Sequence, residues 1–427
     1  MPLLITPSIR QHESLFGYLT RVAEHNGYED FTWILGLANI RARSNFTESD
    51  FAKLAIVTTT PTIKLFDSAH WLSKQGMKRY YFSLYSPKLC PECLKHNSYR
   101  HVSWDYSLIT CCPDHGCLLV DTCPNCKTSI SWKNCGITHC KTCEQSFTAL
   151  NPKPCKPRMI AFTRQLISHI HIPTKQISYL AKTPPLSLSD IMKLVLFLGS
   201  HACFKKTHGT GYWLCSKLTN AEMHQLISVA LNVLTCWPEN FLALLNQIEN
   251  TRQDTGLEKR LGSFYETWHK QFRKPQFEFL KEALASYAQN NWQAGFLSNK
   301  NKRLSENRLH SSKYMTLAET KKTLKLSYRK ILELIDHGQL TAICSDAKSR
   351  TLRLITKVSI QGYLEGQKDI ITAKEMRSIL GIGERRANKL IKGGKIVPLP
   401  NRPLNRSRRY VFCRKAISRL AREIQLS

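Results

Sequence analysis

Four close pairs of metal-ligand residues fall within 54 residues and set the strongest limit on how this chain can fold. Cys90 and Cys93 form C-x2-C, and after eighteen further residues Cys112 and His115 form C-x2-H. Cys123 and Cys126, then Cys140 and Cys143, give C-x2-C-x13-C-x2-C. A structural zinc ion takes four soft or borderline ligands in a tetrahedron, and two close pairs joined by a folded loop supply them. The spacing therefore predicts two zinc sites, Cys90/Cys93/Cys112/His115 and Cys123/Cys126/Cys140/Cys143, with two Zn2+ per chain. Cys111, Cys117, Cys135, His101 and His139 lie nearby and are either alternative ligands or small buried residues and surface imidazoles. No open coordination position or neighbouring Glu base is written into the pattern, and structural zinc contributes on the order of 10 kcal/mol to folding. The knuckles read as scaffolds. Trp104, with Tyr99 and Tyr106, is expected to fill the small core between ligand pairs; the alternative is a platform on which a base stacks.

Sixteen cysteines also raise the question of disulfides. The opening MPLLITPSIR has no basic segment followed by a long apolar one, so the expected compartment is the cytoplasm, where thiols stay reduced. The longest apolar run, IMKLVLFLG at 191–199, is broken by Lys193 and is too short to span a bilayer, so no membrane partner is expected. At 427 residues, several domains are expected.

The charge points to a polyanion. The chain carries 62 Lys and Arg against 31 Asp and Glu, a net of +31. From residue 300 to the end, 30 basic residues face 10 acidic ones, so +20 of that excess sits in under a third of the chain. A protein that covers phosphates with such side chains gains from counterion release, which makes nucleic acid the expected partner of this segment.

Periodicity supplies the remaining elements. Leu15, Tyr18, Leu19, Val22 and Ala23 recur at helical spacing, Asn26-Gly27 is a stop, and Phe31, Ile34 and Leu35 mark a second helix. Residues 157–300 read as mostly helical, with punctuation at TPPLS (183–187) and at Trp237-Pro238. The C-terminal part repeats itself: TLAETKKTLKLSYRKILELIDHGQL from Thr316 aligns without a gap, at an offset of 56, with TAKEMRSILGIGERRANKLIKGGKI from Thr372. Each repeat opens with Thr and has Glu three positions on, a capping box. A second helix then ends at a glycine before an apolar segment.

These residues carry two resemblances. Glu13-Ser14-Leu15, Leu19, Arg21, Ala23 and Asn26-Gly27, followed by CPECL, Tyr99, Trp104, Cys112-x2-His115, Leu118, Leu119 and CPNC, resemble in order and spacing the TniQ and TnsD family of transposon target-selection proteins. CWPENFLALLNQI (236–248), GSFYETW (262–268) and FEFLKEALASYAQNNW (277–292) are similar to that family's helical segment; their aromatics, Phe264, Tyr265, Tyr287 and Trp292 among them, read as core. Each C-terminal repeat resembles the excisionase and MerR type of winged helix, in which the second helix enters the major groove and a basic wing touches the backbone. That resemblance implies DNA contacts from Ser327, Tyr328, Arg329 and Lys330 in the first repeat and from Glu384, Arg385, Arg386 and Lys389 in the second. It implies wing contacts from Arg350 and Arg353, and from Arg406, Arg408 and Arg409.

The expected architecture is mainly α: a helix-turn-helix module (1–88), a tandem zinc-binding region (89–156), a helical body (157–300) and two winged-helix domains (312–366 and 368–427). No G-x4-G-K-[ST], G-x-S-x-G or H-E-x-x-H pattern occurs, so no enzyme is expected. What the resemblance implies is a selector that binds double-stranded DNA and recruits an ATP-dependent transposition regulator and the transposase. A second reading is an adaptor that docks as a homodimer on an RNA-guided CRISPR Cascade complex without reading sequence. A third, a nuclease or transposase, is opposed by the scarcity of acids.

Overall fold

A computed structural model describes residues 2–41, 46–73, 77–171, 185–204, 209–249, 257–290, 314–347, 350–399 and 410–425. The protein is mainly helical and divides into two compact units, one of residues 1–250 with 261–283 and one of 251–260 with 284–427.

The first unit begins with the expected helix, turn and helix. In α1 (Leu15–His25) Ser14 is the N-cap, its hydroxyl accepting from the Gly17 amide at 3.1 Å. The helix stops at Asn26 and Gly27, the latter at φ +71°, where a glycine costs least. Asp30 caps α2 (Phe31–Leu37) through the Thr32 amide at 2.7 Å. Glu13 and Arg21 are buried and joined by two bonds of 2.8 and 2.7 Å, and a buried pair of this kind needs such geometry to offset desolvation. Helices α3 (Glu48–Thr58), α4 (Thr62–Asp67) and α5 (His70–Ser73) complete this part.

The zinc-ligand region follows with α6 (Pro91–His96) and the two-residue strands β1 (Cys111–Cys112) and β2 (Cys117–Leu118). Its own core holds Trp104, Tyr106, Trp132 and Phe147, all buried. Arg100 is 1 % exposed; it donates to the Gly136 carbonyl at 2.9 Å and lies over the Trp132 and Phe147 rings. Gly17 is where α1 meets this arginine, since a Cβ there would stand 2.8 Å from Arg100 Cβ. On its other side the region bonds to the body: Asn220 donates through Nδ2 to the Thr110 and Leu119 carbonyls, and Asp121 accepts from the Asn220 amide.

The body contains α7 (Pro157–His171), α8 (Leu188–Cys203), α9 (Asn220–Leu234) and α10 (Glu239–Glu249); of the helices that follow, α11 (Leu257–Leu261), α12 (Ser263–Gln271) and α13 (Glu278–Asn290), only α12 lies wholly within the first unit. Gly199 lets α8 approach α9, because a Cβ there would come within 2.5 Å of Leu226. Phe197 centres an aromatic core, with ring centroids 4.6 Å from Phe264 and 4.7 Å from Phe272. Phe264, Tyr265 and Tyr287 are buried as expected, while Trp292 lies outside the described residues. No single helix among the described residues is long and apolar enough to cross a membrane.

In the second unit the offset of 56 is visible as geometry. The first repeat runs β3 (Tyr314–Thr316), α14 (Leu317–Leu324), α15 (Tyr328–Asp336), β4 (Ala342–Ala347), β5 (Arg350–Thr356) and α16 (Lys357–Lys368), with β5 between β3 and β4 in an antiparallel sheet. The second runs β6 (Ile370–Thr372), α17 (Ala373–Leu380), α18 (Glu384–Lys392), β7 (Val411–Cys413) and α19 (Arg414–Gln425), with β6 antiparallel to β7. Both capping boxes form: the Glu319 and Glu375 carboxylates accept from the Thr316 and Thr372 amides at 2.8 Å. Lys325 and Gly381, 56 apart, both take left-handed backbone between the two helices; Gly338 and Gly394 do so after the second. Each repeat has its own apolar cluster, Ile331, Leu334, Leu340, Ile355 and Ile360 in one, and Ile371, Met376, Ala387, Ile396, Phe412 and Ile417 in the other.

Candidate metal centres and nucleic-acid interface

Local structure brings the first four predicted ligands together. Cys90 caps α6, with Pro91 at its first position and its sulfur accepting from the Cys93 amide, so that the helix start holds the C-x2-C pair. The β1–β2 hairpin, turning through Gly116 at φ +63°, presents Cys112 and His115. His115 Nδ1 stands 3.6, 3.3 and 3.5 Å from the sulfurs of Cys90, Cys93 and Cys112, and Cys93 Sγ is 3.6 Å from Cys112 Sγ. Donors at zinc distances in a tetrahedron stand about 3.5–3.8 Å apart, so the set fits the ion.

Cys117 comes within 3.5 Å of Cys90 but is not one of the four donors that lie mutually within 4.8 Å. Cys111 faces elsewhere, 3.0 Å from Thr163 Oγ1. Neighbouring thiols, Cys112 first, hold the Cys90 thiol far below its ordinary range through hydrogen bonds, which favours a thiolate, the form that binds metal.

The second tetrad is built from two turns. Bridges between Thr122 and Ser129 and between His139 and Ser146 close loops around each C-x2-C, with Lys127 and Glu144 in left-handed backbone. Cys123 and Cys143 are 3.6 Å apart and Cys126 and Cys140 3.8 Å, again with all four donors within 4.8 Å. Cys126 is drawn down to about 6 by hydrogen bonds from Thr128. Cys135 and His139 are not in either tetrad. Both sets fit zinc by donor chemistry and spacing. They would hold it with no position open to substrate, and what the metal supplies is folding energy.

Buried charged groups, Arg100 and Lys88 among them, escaped the sequence pattern. Lys88 is 4 % exposed and donates to the Tyr106 and Ile109 carbonyls at 2.6 Å each. Burial pushes it down to about 8 and pushes the Asp105 carboxyl up to about 8.

The residues expected at DNA fall into unlike surroundings. Ser327 caps α15 by accepting from the Lys330 amide, and Tyr328 is exposed. Arg329 and Lys330 both pair with Glu333, at 3.4 and 3.1 Å. On α18, Arg385, Arg386 and Lys389 are exposed along with Lys392, which the sequence reading passed over although it lies one turn beyond Lys389. Glu384 pairs with Arg377 at 2.9 Å. Arg353 is half-buried on β5, where Arg350 is the first residue of the strand; Arg406, Arg408 and Arg409 lie outside the described residues.

The chain thus joins a helical module, a cysteine-rich region with two ligand tetrads and a basic tail. Residues 4–119, from the N-terminal segment through the first tetrad, match the model of the TniQ family. That segment is a TniQ domain, and the match associates this part of the chain with transposition and target selection. No curated protein matches the chain.

Proposed function

We propose that this protein selects the target site of a bacterial DNA transposon by binding double-stranded DNA through its C-terminal repeats and recruiting the ATP-dependent regulator and the transposase. It acts by binding and not as an enzyme. The two tetrads hold one Zn2+ each and keep the TniQ domain and the helical body in a fixed arrangement. The repeats act as winged helices, and the observation that carries the reading is α18. Its Arg385, Arg386, Lys389 and Lys392 are exposed on a helix preceded by a tight turn, which suits phosphate contact and the reading of guanine.

The first repeat supports a second reading for its own part. Glu333 pairs with both Arg329 and Lys330 and offsets one of their two charges while Tyr328 stays exposed, a surface better suited to a protein. An adaptor that docks, alone or as a homodimer, on a CRISPR Cascade complex would use such a face.

Selection of random duplex DNA by the full-length protein at near-physiological salt separates the two. An enriched motif is the expected result. Binding without enrichment moves sequence reading to a partner and favours the adaptor.

A further inference from the structure

A groove in the first unit is walled by aromatic rings that the fold leaves open. Two short 3-10 turns, Arg79–Tyr81 and Tyr212–Ser216, bring Tyr80 and Tyr212 into a stack with ring centroids 4.4 Å apart and planes 30° apart. Gly211, at φ +74°, sets the second turn against α8, where a Cβ would stand 2.6 Å from Ser200 Oγ. Tyr85 and Trp213 stand in the walls of the same cavity, which measures about 630 Å3, a size that holds a small ligand. Tyr85 is 61 % exposed and Tyr212 45 %, whereas the neighbouring Tyr81 is 1 % exposed. Trp104, the ring that sequence offered as a stacking platform, is buried and presents no such face.

Cations surround these rings. Arg79 lies over the Tyr85 ring at 5.6 Å from its centroid, and Lys217 over Trp213 at 5.3 Å. Lys88 lies in the cavity wall, and its bonds to two carbonyls leave the ammonium a third N–H. Among the described residues that line the cavity, Asp121 is the one acid, and it already accepts from the Asn220 amide. Asn220 lines the cavity too, and its buried side-chain oxygen has no partner, which suits the amino edge of a base. Cations, a carboxylate already engaged and open ring faces together select an anion that carries its own flat ring.

We propose that this groove binds single-stranded nucleic acid, stacking an unpaired base on Tyr212 or Tyr85 and setting the phosphates beside it against Arg79 and Lys217. Tyr80 backs Tyr212 on one side and fixes the ring, so little freedom is lost when a base covers the other face. A duplex keeps its bases stacked inside and cannot offer one to such a wall. The groove is therefore a site separate from the surface proposed on α18, and it does not rest on that reading.

Full-length protein is measured by fluorescence anisotropy on three probes: oligouridine of about 12 nucleotides, oligodeoxythymidine of the same length, and random duplex DNA. The expected result is that Tyr85→Ala with Tyr212→Ala weakens single-strand binding by about tenfold or more and changes duplex binding by less than about twofold. Both rings are exposed, so the variant should fold; circular dichroism and zinc content check it. The wild type supplies a readout that needs no variant, since irradiation with a 5-iodouracil-substituted strand should crosslink peptides that carry Tyr85 or Tyr212. Tighter binding of the RNA or of the DNA strand identifies which polymer supplies the base, and equal binding supports recognition of the base and phosphate that both share. Crosslinks confined to the C-terminal repeats, or single-strand affinity unchanged in the double variant, overturns the site. Failure of the wild type to bind duplex DNA would instead count against the reading of the repeats, so the two failures are told apart.

Discussion

The two units place their charge in opposite ways. In the first, charged groups are buried and tied: Arg21 to Glu13, Arg100 to a carbonyl beneath two rings, Lys88 to two carbonyls. In the second, small apolar clusters hold each repeat together, and the basic side chains of α18 stay at the surface. Buried polar groups held in this way specify one arrangement at a desolvation cost, which suits a scaffold. Exposed charge adds little stability and keeps its field for a polyanion. The difference separates charge that holds a fold together from charge left at the surface, which is what the proposed division between positioning and DNA binding requires.

Removing a tetrad ligand should have the largest effect. Cys90→Ser and Cys123→Ser are each expected to release one zinc per chain and unfold the region around the site, a loss on the order of 10 kcal/mol of metal-linked stability. Metal analysis and limited proteolysis read this directly; two zinc ions retained in both variants would contradict the scaffold.

A core truncation in the tail should be smaller and local. Phe412→Ala is expected to cost about 3–5 kcal/mol and to loosen the second repeat while the first keeps its hydrogen-exchange protection. Loss of protection in both repeats would show that their clusters are not independent.

Next come the charges. Replacing Arg385 and Arg386 with Ala should lower the slope of log K against log salt by about two, roughly one per phosphate contact. Arg329→Ala with Lys330→Ala should change it less, since Glu333 already offsets one of the two charges. Equal effects would erase the distinction between the repeats.

A last, pH-dependent change concerns Asp105. Its folded pKa of about 8 lies above the unfolded value, so the folded state holds a proton that the unfolded chain has lost over the window between them. This group therefore makes stability fall as pH rises from about 4 towards 8. Asp105→Asn should remove that decline, and denaturation midpoints for both proteins at pH 5 and pH 8 test it.

Much of this was legible from residue spacing. The C-x2-C and C-x2-H pairs identify both tetrads because zinc geometry leaves little freedom in ligand separation. The capping boxes and the offset of 56 identify the repeat because helix starts and left-handed turns demand particular residues. Contacts between residues distant in sequence were not legible. Neither Arg100 under Trp132 nor the meeting of His12 with His171 follows from any local pattern, because tertiary packing alone brings these residues together. The Lys330–Glu333 pair was not legible for the same reason, since it depends on side-chain placement that spacing suggests but does not fix.

The central claim is that the second repeat carries the DNA-binding charge. The most direct test is duplex-DNA affinity of the full-length protein across a salt series, for the wild type and for Arg385→Glu with Arg386→Glu and Lys389→Glu. A steep salt dependence in the wild type, flattened with weakened binding in the variant, is the predicted result. Binding and slope unchanged by the triple substitution would contradict the account.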